Sequence, residues 1–108
     1  MTLRGLIPDF ELLKALPARG VTVTCRAGTP GHDFMSRFFA PQVGINEDPV
    51  TGSAHCYLTP FWSSRLNKKS LKAFQASERG GELQVELAGG RVLIRGQAVT
   101  VFAGELLA

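Results

Sequence analysis

The stretch from Ser53 to Leu66 restricts this chain more than any other. Read as a helix, it places Ala54, Leu58, Trp62 and Leu66 in one line at intervals of four, and Tyr57 and Phe61 widen the apolar stripe. A helix apolar over so much of its circumference requires protein on most sides, so the remainder of a 108-residue chain has to wrap it. Pro60 is the local conflict, because a proline inside a helix removes one hydrogen bond and predicts a kink.

The remainder has the pattern to do the wrapping. After Asn67 the chain alternates as strand: Leu71 to Ala76, then Leu83, Val85 and Leu87, then Val92 and Ile94. Arg79-Gly80-Gly81 and Gly89-Gly90 supply turns, and Gly96 interrupts the pattern before a further strand expected over Ala98 to Ala103. Upstream, Val21 to Cys25 alternates and is rich in β-branched residues. Thr29-Pro30-Gly31 is a turn, and Phe34 to Phe39 reads as a strand with aromatics on both faces, ended by Pro41. A short helix is expected from Phe10 to Leu16, opened by Pro8 and Asp9 and closed by Pro17 and Gly20, while Gly44 to Gly52 reads as irregular. The expected fold class is α+β: one domain over residues 1–108, an antiparallel sheet curled around a central helix. No repeat, linker or low-complexity tract divides it.

Composition removes several function classes. Apolar residues make up 44% and charged residues 19%, the balance of a globular domain, and no apolar run approaches membrane-spanning length. The start lacks the order of a secretory signal, which makes a cytoplasmic location the expectation. The net charge of +3 is spread along the chain, and its densest cluster, Arg65, Lys68, Lys69 and Lys72, reads as a solvated helix end or turn. Nucleic acid is therefore not an expected partner. Cys25 and Cys56 lie far apart, outside any metal-binding spacing, and are expected as buried free thiols; no metal site is expected.

Chemistry concentrates in Glu47-Asp48-Pro49-Val50-Thr51-Gly52-Ser53-Ala54. Gly52 permits a tight turn or close approach, Ser53 is placed as an N-cap or first-turn residue, and the helix behind them aims unpaired amides outward. Such a terminus accommodates a carboxylate or phosphate, and one of the two upstream carboxylates could relay a proton. An ordinary capped helix start has the same composition, so both readings stand at this point. His55 sits two positions after Ser53 and points away from it on a helix, which suits a packed or surface histidine better than a general base. Neither a nucleophile elbow nor a phosphate-binding loop motif occurs.

Several spaced motifs together resemble one family. Ser36-Arg37-Phe38-Phe39-Ala40-Pro41, Gly44-Ile45 and Glu47 through His55 are similar to the C-terminal half of phenazine-biosynthesis-type (PhzF-like) isomerases. Gln75-Ala76-Ser77, Arg79-Gly80-Gly81 and Gly96-Gln97-Ala98-Val99-Thr100 extend the resemblance over nearly the whole chain. It implies half of a diaminopimelate-epimerase-like fold, in which two similar domains each wrap a sheet around a central helix and substrate binds between them. It implies that Asp48 assists proton transfer or orients substrate, and that Gly52, Ser53 and Ala54 bind a substrate carboxylate. Gly80 matches a turn near the cleft, although a plain hairpin turn explains it equally well. The family's general base, a glutamate, belongs to an N-terminal domain that no segment of these residues matches, and Glu47 aligns elsewhere. Neither cysteine falls where racemases of this fold place theirs.

The expectation is therefore the C-terminal, substrate-binding half of an isomerase that uses no cofactor or metal and acts on a small carboxylated metabolite. Its partner would be the missing N-terminal domain. The alternative is a non-catalytic anion-binding or scaffold domain that covers its apolar face by forming a homodimer or larger oligomer. A remnant that keeps the fold without a function is the third reading.

Overall fold

The computed structural model describes residues 3–97 and 103–107. After a single 3-10 turn at Leu3–Gly5 come α1 (Phe10–Lys14), β1 (Val21–Arg26), β2 (Phe34–Ala40), β3 (Ile45–Asp48), α2 (Gly52–Leu66), β4 (Ser70–Gln75), β5 (Gly81–Ala88) and β6 (Arg91–Arg95). The strand expected over Ala98 to Ala103 falls largely on residues 98–102, outside those described. No described helix is long and apolar enough to cross a membrane.

The strands form one sheet in the order β1-β2-β4-β5-β6, with β3 also paired to β2. Pairing is antiparallel except between β2 and β4, where Phe34, Met35 and Ser36 run parallel to Ala73, Phe74 and Gln75. The wholly antiparallel sheet expected from the turns is corrected here. Between β2 and β4 the chain runs through α2, and a crossover of that length returns the next strand in the same direction.

α2 lies in the trough of this sheet. Ala54, Leu58 and Trp62 form one core with Phe34, Leu71, Ala73, Leu83 and Val85. Each large apolar side chain buried there contributes roughly 1.5–3 kcal/mol. The Trp62 indole stacks on Phe34 at 5.8 Å between centroids and donates its N–H to Thr24 Oγ1 at 2.9 Å. The Tyr57 hydroxyl hydrogen-bonds that of Thr22, so β1 is tied to the helix that β4, β5 and β6 also touch. The sheet thus curls, and α2 is its axis.

The curl is incomplete on one side. Cys56, Tyr57, Pro60 and Phe61 are exposed, so the helix is not surrounded as its apolar circumference suggested. The same exposure lets α2 pass through Pro60 as one helix, since the Cys56 carbonyl that loses its partner lies on the solvent side. Cys56 is exposed and Cys25 half-buried, which corrects the expectation of two buried thiols.

The first helix is shorter than its pattern. Asp9 caps it by accepting the Leu12 N–H at 3.2 Å, but it ends at Lys14, and Leu12 is 68% exposed. Phe10 reaches inward, edge-on to Phe39 at 6.2 Å, and Leu13 is half-buried. Two further differences concern the stretches around α2. Residues read as irregular form β3, held by Phe38 opposite Asp48 and Ala40 opposite Ile45 across a bulge. The basic cluster does not form one face: Lys72 belongs to β4, and Lys68 is paired with Asp33 at 2.7 Å.

Candidate functional site

β3 delivers Asp48 to the edge of the trough, and after Pro49, Val50 and Thr51 the chain enters α2. Thr51, with φ −118° and ψ 102°, is the N-cap residue, so Ser53 takes the second of the two places expected for it, inside the first turn. The Thr51 hydroxyl does not cap. It donates to Asp48 Oδ2 at 2.6 Å, and no side chain among the described residues caps α2. The first amides of a helix have no intrahelical partner, so those of Gly52, Ser53 and Ala54 are left without one, the first two on exposed residues and the third on a buried one.

The mouth is open. Gly52 and Ser53 are exposed, and a Cβ at Gly52 would meet nothing within 4 Å. Ala54 differs, because its methyl group belongs to the core and only its amide can serve a ligand. Asp48 is half-buried, and the Thr51 hydroxyl is the one partner of its carboxylate among the described residues.

The turn holding Gly80 reaches the same loop. Ser77 Oγ donates to the Pro49 carbonyl at 2.9 Å and accepts the Gly80 N–H at 3.0 Å. Gly80 itself has φ +78°, and a Cβ on the neighbouring Gly81 would lie 2.2 Å from Val50 Cγ2. Both glycines are therefore required, one by its backbone conformation and one by close approach. An open depression of about 460 Å³ lies beside this contact, lined by Glu47, Pro49, Ser77, Glu78 and Arg79. The structure thus gathers Asp48, Gly52, Ser53, Ala54 and the Gly80 turn around one short loop.

Other groups hold the loop in place. Glu47 accepts from Arg37 through both oxygens, at 2.9 Å from Nε and 2.7 Å from Nη2. Arg37 Nη1 also donates to the carbonyls of Leu3 and Leu6, and its hydrogen bond with Glu47 keeps the guanidinium above its ordinary pKa despite burial. His55 is wholly buried, and its Nδ1 hydrogen-bonds the Thr51 carbonyl at 2.7 Å, which can only accept. Nε2 is then the bare nitrogen and has no partner among the described residues. Burial pushes the imidazole pKa down, against the Thr51 bond, so His55 is a neutral packed group.

Thr51, Gln75 and Ser77 lie within the motifs read from the sequence, but none was assigned a role of its own. Gln75 left one usable signal: alternation along β4 places it with Leu71 and Ala73 on the buried side, where an amide needs partners. It finds them in the Thr51 N–H and the Asp48 carbonyl.

The family model described as phenazine biosynthesis-like protein matches residues 1–104. The chain belongs to this family. Among its PhzC/PhzF relatives, an uncharacterized isomerase of Pseudomonas aeruginosa is 57% identical over 103 residues, covering 95% of this chain and 39% of that protein. One from Halalkalibacterium halodurans is 52% identical over 105 residues, covering 97% and 40%. Phenazine biosynthesis-like domain-containing protein 1 of Mus musculus is 54% identical over 108 aligned residues, covering 94% and 36%. A crystal structure of a PhzF-family protein from Enterococcus faecalis superposes with a TM-score of 0.78 at 50% identity, covering 84% of this chain and 35% of that one. The fold is the diaminopimelate-epimerase-like α+β arrangement of PhzF proteins. The chain spans about two fifths of the length of these relatives.

Proposed function

We propose that this chain forms one wall of the substrate cleft of a cofactor-independent isomerase acting on a small carboxylated metabolite. The carrying observation is the uncapped, open N-terminus of α2 with a carboxylate held beside it. In this reading the amides of Gly52, Ser53 and Ala54 bind the substrate carboxylate, because orphan N–H groups and the helix dipole favour an anion there. Asp48 stands at the rim with a fixed orientation and orients substrate or assists a proton transfer, while the Gly80 turn shapes the edge. The general base comes from a complementary N-terminal domain. The names of the bacterial relatives, uncharacterized isomerases, support the reaction class.

The test is a titration of the isotope-labelled chain with sodium benzoate against sodium chloride at matched ionic strength, followed through backbone amide shifts. Saturable shifts are expected at Gly52, Ser53 and Ala54. Ser53→Pro deletes one of these amides at a helix position that tolerates proline and should weaken benzoate about 10–100-fold, the value of a hydrogen bond to a charged group. Ser53→Ala keeps the amide and should bind within about 3-fold of the parent if the hydroxyl adds a weaker neutral contact. Shifts scattered over lysines instead of the α2 terminus would sink the site.

A second reading, a non-catalytic homodimeric scaffold, is favoured by the exposed Tyr57 and Phe61 on the open side of α2. Mixing the chain with the N-terminal domain of a full-length relative separates the two, since the first reading requires a complex and the second does not.

A further inference from the structure

Gln75 is the one amide side chain in the buried layer beneath α2, and it is 0% exposed. Burying an amide without partners costs several kcal/mol, in the range of about 2–7. Gln75 avoids this with three hydrogen bonds. Its Oε1 accepts the Thr51 N–H at 2.7 Å, and its Nε2 donates to the Asp48 carbonyl at 2.9 Å and to Thr51 Oγ1 at 3.0 Å. The orientation of the amide follows from its partners, since an N–H only donates and a carbonyl only accepts.

The third bond has a directional consequence. A threonine hydroxyl carries one proton and a small number of lone pairs. With Gln75 donating into Thr51 Oγ1, the hydroxyl proton is directed to Asp48 Oδ2, which lies 2.6 Å from Oγ1. A threonine at an N-cap ordinarily does something else: its oxygen accepts the N–H of the second or third helical residue. Here that oxygen is turned away, and α2 begins without a side-chain cap.

We infer that Gln75 is a positioning residue that diverts Thr51 from capping α2 and so keeps the amides of Ser53 and Ala54 free for an anionic ligand. The inference rests on the proposed anion site for its functional meaning, but the diversion itself is a property of the loop. Without Gln75 the Thr51 side chain relaxes to the ordinary cap, competes with the ligand for the same amides, and drops its bond to Asp48.

A double-mutant cycle in the 108-residue chain, with sodium benzoate as probe, tests this. Gln75→Met preserves volume and removes all three bonds; it should weaken benzoate about 10-fold, as expected when one charged-acceptor bond is lost. Thr51→Val cannot cap, so it should bind benzoate within 3-fold of the parent, and Gln75→Met/Thr51→Val should recover most of the lost affinity. A purely structural Gln75 gives no recovery in the double variant, and that result overturns the inference. Hydrogen exchange and the Thr51 χ1 coupling in the unmutated chain add a measurement that needs no variant to fold. Fast exchange at the exposed Ser53 with Thr51 turned toward Asp48 supports the diversion; a protected Ser53 amide overturns it. If the parent chain does not bind benzoate at all, the anion site fails, while exchange and coupling still judge Gln75.

Discussion

At the scale of single residues, the second proton of His55 has nowhere to go. Nδ1 is committed to the Thr51 carbonyl, and Nε2 lies buried with no acceptor among the described residues. The folded chain therefore resists charging this ring, while the unfolded chain charges it near the ordinary histidine value of about 6.5. Because the unfolded state takes up more protons, the stability this group contributes is complete above that pH and lost as the pH falls through the lowered folded value. Melting temperatures measured from pH 8 to pH 5 should drop for the parent and drop less for His55→Asn, which retains a donor toward Thr51 but does not titrate. Equal slopes would show that the ring finds a partner on protonation. Asp33 does not confuse the measurement. Burial opposes its ionisation, but the Lys68 bond, the Lys72 N–H and both lysine charges hold its pKa below 3.8, under the tested range.

Among the elements, β2 carries the widest responsibility. One of its faces supplies Phe34 and Phe38 to the core around α2, and the other presents Arg37 to Glu47 on β3 and to the carbonyls of Leu3 and Leu6. Arg37→Met keeps much of the stem but strands Glu47, and urea denaturation should show a loss of about 3–5 kcal/mol, the usual effect of breaking a largely buried pair. A loss below 1 kcal/mol would mean that the pair is solvated in solution. How much of this was legible follows from what each element depends on. β1, β2, β4, β5 and β6 could be read because alternation and glycine turns are local signals, and α2 because its apolar line is long. β3 could not, since Ile45-Asn46-Glu47-Asp48 has no strand pattern and is held in place by β2 through a bulge. The end of α1 at Lys14 was missed for a related reason: Leu12 and Leu16 have helical spacing but no surface to cover. In the site, glycine and the acidic residue were visible as types, whereas the role of Thr51 depends on Gln75, a long-range partner that no local pattern announces.

For the molecule as a whole, the open side of the trough decides its behaviour in isolation. Tyr57 is 52% exposed and Phe61 41%, and Leu93 and Ile94 on β6, the last strand in the order of the described sheet, are similarly uncovered. Large apolar side chains exposed together favour association. Sedimentation velocity on the isolated chain should show dimers or larger species at micromolar concentration, and Phe61→Glu should move the distribution toward monomer. A single monomeric boundary for the parent would remove the case for a self-covering scaffold. The parallel pairing of β2 with β4 bears on assembly in time as well. The β1–β2 and β4–β5–β6 pieces are each built from neighbours in the chain and can zip early, whereas joining Phe34 to Ala73 must wait until the intervening loop and helix have been closed into position. That seam is the expected late step of folding, so the two walls that hold Gln75 against Thr51 meet only as the native state is completed.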